Sequence, residues 1–199
     1  MRNAFAIAFL IPSLLVPLAG AAFAAEKGTP VETVDPVQAR KAHLDELFAQ
    51  LKRERSEAAA SGIAGQIWTE WFKSGSASVD LMMQWAQKAI EEQRYDVALD
   101  FLDEVITLSP DYPEGWNRRA TLHFMMSNYG KSMSDIDHTL ALEPRHFGAL
   151  SGMAQILKNT GNKEAALRAY QRVLDIYPMM RSAQSEVATL SEELAGEGI

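Results

Sequence analysis

Apolar residues recur at helical spacing along most of the chain, and nowhere at the alternation of a strand. Leu44, Leu47, Phe48 and Leu51 stand at i, i+3, i+4 and i+7, one stripe of a helix. That helix starts behind Asp35-Pro36, a capping residue followed by proline at the first helical position. Ala60, Ile63, Ala64, Ile67, Trp68 and Trp71 draw a second stripe that ends near Ser74-Gly75. Beyond residue 24 no short window of β-branched residues alternates with polar ones, so the fold class is all-α.

The pattern also repeats. Pro110, Pro144 and Pro178 lie 34 residues apart, each just behind a helical segment that closes on an aliphatic residue. Counted back from these prolines, the units run 79–112, 113–146 and 147–180, and their columns agree. Position 8 is Ala86, Ala120 and Ala154, and position 20 is Ala98, Ser132 and Ala166. Position 24 is Leu102, Ile136 and Tyr170, and position 27 is Val105, Thr139 and Val173. Small residues at 8 and 20 let two antiparallel helices approach, while the larger ones at 24 and 27 fill the space beside them. Proline at position 32 ends the second helix and sets the turn into the next unit.

Trp116-x3-Ala120 and Tyr129-x2-Ser132 with Pro144 stand in the middle unit, Ala86, Ala98 and Pro110 before it, and Ala154, Gly161, Ala166, Tyr170 and Pro178 after it. With these residues the chain resembles the tetratricopeptide repeat (TPR) family, and its short exported bacterial members in particular. The resemblance covers about residues 79–180 and implies a right-handed α-solenoid of stacked helix hairpins. It departs at Arg119, where position 7 is usually leucine, and at Gln93 and Ser127, which occupy the glycine-like position 15. Extended backward, the register places Phe48, Leu51, Ala64, Trp68 and Trp71 at positions 4, 7, 20, 24 and 27, with Lys52 out of place at position 8. Residues 35–78 are therefore expected to form a degenerate N-terminal hairpin, with Trp68, Trp71 and Phe72 packed against the first full repeat. Ala183, Val187, Leu190 and Leu194 make one more amphipathic helix, so 181–199 reads as a capping helix and tail, and the array has about nine helices.

The first residues follow another rule. A basic start at Arg2, the apolar run Ala4–Ala24 and the small-residue site Ala22-Phe23-Ala24 predict a signal peptide over 1–24, cleaved after Ala24. A flexible linker over 25–34 follows, rich in Gly, Thr, Pro and charge. An uncleaved membrane anchor is the alternative, since about 20 apolar residues cross a bilayer. Part of the 47% apolar content of the 199 residues thus belongs to a leader, and the net charge of −7 becomes −8 when Arg2 leaves with it. The absence of cysteine excludes disulfides, thiolate metal sites and a cysteine-linked lipid anchor. A pI near 5.1 argues against nucleic acid as a partner. The expected place is the periplasm, with a membrane involved only if the N-terminal segment is retained.

No catalytic constellation stands out: there is no Gly-x-Ser-x-Gly, no phosphate-binding glycine loop and no His-Glu-x-x-His. No catalytic residue, cofactor or metal is expected. Asp135, Asp137 and His138 lie close in sequence, but their angular spacing suits a solvated helix face better than a metal site. A metal or hydrolytic site near His123 is the remaining chemical alternative. What the resemblance implies is a concave groove lined by positions 2, 5, 9 and 12 of each first helix. These are Asp80, Met83 and Gln87, with Glu91 one place past position 12, then Glu114, Asn117, Thr121 and Phe124, then Gly148, Ser151, Gln155 and Lys158. The candidate partner-binding residues among them are Met83, Gln87, Asn117, Thr121, Phe124, Ser151, Gln155 and Lys158. Chaperone-binding members hold a terminal carboxylate with lysine, asparagine and arginine, whereas Met83, Gln87, Gly148 and Gly152 stand at those places here. The expected function is a non-catalytic scaffold for a protein or peptide segment. A membrane-tethered assembly factor is the alternative if the N-terminus is retained.

Overall fold

The computed structural model describes residues 35–196, so the expectations for the leader and the linker lie outside the described residues. Nine helices and no strand are found within them. Helix α1 is Pro36–Arg53 and α2 is Glu57–Trp71. Three pairs follow: α3 (Ala77–Glu91) with α4 (Tyr95–Leu108), α5 (Pro113–Met125) with α6 (Tyr129–Leu142), and α7 (Phe147–Asn159) with α8 (Lys163–Ile176). Helix α9, Arg181–Gly196, closes the array. The caps follow local chemistry. The Asp35 carboxylate accepts from the Val37 N–H at 3.1 Å, and the Ser56 hydroxyl caps α2.

The period of the sequence becomes the period of the array. Helices α4, α6 and α8 start at Tyr95, Tyr129 and Lys163, while α5, α7 and α9 start at Pro113, Phe147 and Arg181, each set 34 residues apart. At positions 8 and 20 the helix pairs touch through small side chains: Ala86, Ala98, Ala154 and Ala166 are fully buried. In the middle pair the Ser132 hydroxyl donates to the Ala120 carbonyl at 2.7 Å, so a polar side chain is tolerated where the helices are closest.

Position 15 turns each hairpin in the left-handed region, at Gln93 (φ 58°), Ser127 (φ 59°) and Gly161 (φ 81°). Each turn is a Schellman motif, with N–H groups returning to the helix just ended, as in Arg94 to Ala89 at 2.8 Å and Gln93 to Ile90 at 2.9 Å. Only Gly161 adopts this conformation without a Cβ conflict. Gln93→Gly and Ser127→Gly are therefore each expected to stabilise the protein by about 0.5–1 kcal/mol, once glycine's extra unfolded-state freedom is set against the relieved strain. Urea midpoints with unchanged slope would check this.

The N-terminal hairpin α1–α2 forms, and Phe48, Leu51, Ala64 and Trp71 are buried as their columns require. Its location differs from the expectation. Trp68 and Trp71 do not pack against the first full repeat; they pack on His146 and Phe147 at the start of the third. Trp71 stacks flat on the His146 ring at 4.0 Å, and Trp68 stands edge-on to Phe147 at 5.6 Å. Phe72 lies under the Arg118 guanidinium of the second repeat at 5.4 Å. The reason is shape: a Cβ on Gly148 would come within 2.7 Å of the Trp68 ring, so that glycine leaves the room the indole fills. The hairpin thus lies across the repeat junctions. Ion pairs Asp45–Arg145 (2.7 Å) and Glu57–Arg181 (2.8 Å) join it to the loop before α7 and to the first residue of α9. Leu47, Phe48, Leu51, Ile67 and Trp71 share one core with Leu150, Tyr170, Val173 and Leu190.

Candidate functional site

With α2 filling the rim at Gly148, the open parts of the groove are two. The first spans α5 and α7, a pocket of about 120 Å³. Its floor is Ala120, Ile136, Ala149, Gly148 and Gly152, and Asn117, Thr121, Phe124 and Gln155 stand around it. The second is a wider depression of about 670 Å³ between α3 and α5, where Met83 and Gln87 meet Phe72, Asp80 and Arg118. Of the candidate residues, Asn117, Thr121, Phe124 and Gln155 are brought together in the first, and Met83 and Gln87 in the second. Ser151 and Lys158 line neither. The Lys158 ammonium is held by Glu186 of α9 at 2.6 Å, and the Ser151 hydroxyl donates to the Phe147 carbonyl at 2.8 Å.

Most groove polar groups are already committed to one another. Glu114, 1% exposed, is the centre of this network. It accepts from Asn117 Nδ2 at 2.9 Å and from Arg118 Nη2 at 3.2 Å, and its Oε2 lies 3.2 Å from His146 Nε2. His146 Nδ1 accepts the Ala149 N–H at 3.0 Å, capping α7, so the ring's proton sits on Nε2 and points at Glu114. Arg118 also donates to Gln87 Oε1 at 2.6 Å, and Gln87 donates to Glu91 at 2.8 Å. Gln155 donates to Asn159 at 2.9 Å and takes the Tyr170 hydroxyl at 3.3 Å. The helix dipole and a half-buried guanidinium thus face a carboxylate of this chain itself, leaving Arg118 satisfied before any ligand arrives. The signal missed in the sequence was Glu114 and Arg118 at i, i+4 on α5 with His146 at the cap of α7, the start of the next first helix.

On the other side of α5 a second polar cluster forms. Arg119 forks onto Asp135 at 2.8 and 2.6 Å and reaches Asp103 of α4 at 2.6 Å. Beside it His123 is 6% exposed, and its Nδ1 has no partner among the described residues. Burial holds the His123 imidazole below the ordinary histidine range, against the pull of Asp135. Asp135 is thus occupied by Arg119, while His138 stacks on Trp116 at 4.2 Å. Among the described residues no three His, Asp or Glu side chains are placed to hold a metal ion.

An all-α array of antiparallel pairs with a concave face defines a helical solenoid. Residues 148–178 match the family model described as the tetratricopeptide repeat. A TPR repeat-containing protein of Rhizobium etli is 57% identical over 195 residues, covering 94% of this chain and 96% of its own. The chain belongs to the TPR family. Among solved structures, the first TPR of Spaghetti (RPAP3) bound to an HSP90 peptide superposes with TM-score 0.56 at 24% identity, over 59% of this chain and 93% of that one. The TPR2B domain of yeast Sti1 in its Hsp70 complex does so with TM-score 0.54 at 13% identity, over 59% and 99%. These two likenesses show the fold.

Proposed function

We propose that this protein is a non-catalytic scaffold that holds a peptide or protein segment in its concave groove, and that it does so in the periplasm after cleavage behind Ala24. The observation that carries the groove reading is the 120 Å³ pocket between α5 and α7, whose apolar floor is ringed by Asn117, Thr121 and Gln155. Such a pocket suits one aliphatic side chain of a partner, whose backbone then meets the amides at the rim. The peptide-bound Spaghetti structure supports a peptide as the kind of ligand. A terminal carboxylate is not the preferred anchor here, because Arg118 is already paired with Glu114 and Gln87. The leader and its A-x-A site support export.

Gly152 gives the test. A Cβ there would meet the Ile136 methyl at 3.6 Å, an ordinary contact, so a longer side chain enters the pocket without breaking the helix pair. Gly152→Met and Phe124→Ala are expected to cut partner capture in a crosslinking pull-down tenfold or more, the loss a central anchor carries. The Gly152→Met melting curve should stay at or above that of the unaltered protein, whereas Phe124→Ala, which gives up packing on Tyr129 and on the Ala120–Ile136 core, should lower it while leaving the protein folded. Capture that survives both variants places the site elsewhere. The intact mass of the same purified material reads the location: a chain beginning at Ala25 supports release, and one beginning at Met1 supports a tethered protein.

A further inference from the structure

Among the described residues, none covers the opening end of the array. Position 7 of a first helix faces the preceding repeat. Arg119 in the second repeat is ion-paired there with Asp103 of α4, and Met153 in the third is packed into the core. In the first repeat that position is Trp85, 46% exposed, because α1–α2 has folded over the third repeat instead of stacking on α3. Leu81, 43% exposed, and Lys88 share its stripe on α3 at i, i+4 and i+7. On α4 the stripe Val97, Phe101, Glu104 and Leu108 looks the same way, since Trp85 and Phe101 meet at 5.5 Å and Leu108 is 55% exposed.

We propose that a second copy of this chain docks on the face formed by Leu81, Trp85, Phe101 and Leu108, giving a two-fold dimer with Lys88 of each copy over Glu104 of the other. Charge placement selects this occupant. Helices α3 and α4 run antiparallel, so Lys88 and Glu104, each three residues beyond its ring, lie diagonally across the Trp85–Phe101 pair. The two-fold that exchanges them sets opposite charges together twice, with the helix pairs crossing steeply. Neither Lys88 nor Glu104 has an ion-pair partner among the described residues. The face is also the stacking surface that α5 and α7 already use within the chain, so it is shaped for another helix pair. Head-to-tail growth is closed, because α9 buries Ala183 and Leu190 inward and turns Ser182, Ser185, Thr189 and Glu192 outward. Dimerisation through this face leaves the groove between α5 and α7 open.

Sedimentation velocity on the purified chain decides it. The unaltered protein is expected to sediment at twice the mass of its own polypeptide, read from the same sample by intact mass. Trp85→Glu is expected to give a folded monomer, its melting curve lowered only by the lost Trp85–Phe101 contact and the lost association. Lys88→Glu and Glu104→Lys are each expected to weaken association tenfold or more, and the double exchange to restore it. A monomeric unaltered chain at 100 µM, association untouched by Trp85→Glu, or a double exchange that stays as weak as the single ones would each overturn the proposal.

Discussion

Trp71→Ala is expected to remove about 3–5 kcal/mol of stability, the range for deleting a large buried aromatic, and to detach α1–α2 before the repeats unfold. The indole is 4% exposed and meets four rings: His146 at 4.0 Å, Phe147 and Trp68 at 5.1 Å each, and Phe48 at 5.8 Å. Alanine leaves a cavity between the hairpin and the start of α7, and neither side can collapse, since Trp68 already fills the space over Gly148. His146 then loses its flat neighbour while still holding Glu114 and capping α7. Trp71→Phe separates packing from the loss of a polar group. The indole N–H has no partner among the described residues, so phenylalanine gives up no hydrogen bond and is expected to cost under about 1.5 kcal/mol. Urea unfolding reads the totals. Hydrogen exchange reads the locality: amides of α1 and α2 should lose protection first in the alanine variant, with α3 to α9 retaining theirs. Uniform loss of protection would mean that the hairpin is part of one cooperative unit with the repeats.

Where that hairpin sits was the part of the fold least legible in the sequence. The repeat columns were readable because helix spacing is local: Ala86 and Ala98, or Leu102 and Val105, are placed by residues within one unit. The stripe of Ala64, Ile67, Trp68 and Trp71 showed equally well that α2 buries a face. It did not show against what, because its partners His146, Phe147 and Gly148 lie some 75 residues on and read there as a junction and a groove position. The gap at Gly148 is visible only from the other side of the contact. The groove behaves the same way. Asn117, Thr121, Phe124 and Gln155 converge because first helices repeat at one register, whereas Lys158 is drawn off by Glu186 from a helix outside the repeats. Arg119 was readable as a departure from leucine, but its partners Asp103 and Asp135 arrive from the helices before and after it.

That departure should be the costliest single polar position in the chain. Arg119→Ala is expected to destabilise by about 3–5 kcal/mol, because it strips both hydrogen bonds from a buried carboxylate. The Asp135 side chain is 4% exposed and takes Arg119 at 2.6 and 2.8 Å, whereas Asp103, 59% exposed, can turn to water and contributes little. Nearby groups offer Asp135 no substitute: His123 is buried in its neutral form, and Lys131 lies at the open edge of the same cleft. Arg119→Met tests whether the cost is lost packing, since the longer side chain keeps the stem's contacts and should recover only part of it. Arg119→Met with Asp135→Leu removes the buried charge together with its partner and restores the apolar residue usual at position 7. That double variant is expected to return to within about 1 kcal/mol of the original or to exceed it. The coupling energy from the four proteins, measured by urea unfolding, should then reach about 2 kcal/mol or more. A double variant as unstable as Arg119→Ala would mean that the ion pair sets the spacing of the first and second repeats by its shape, and that a leucine-like filling cannot replace it.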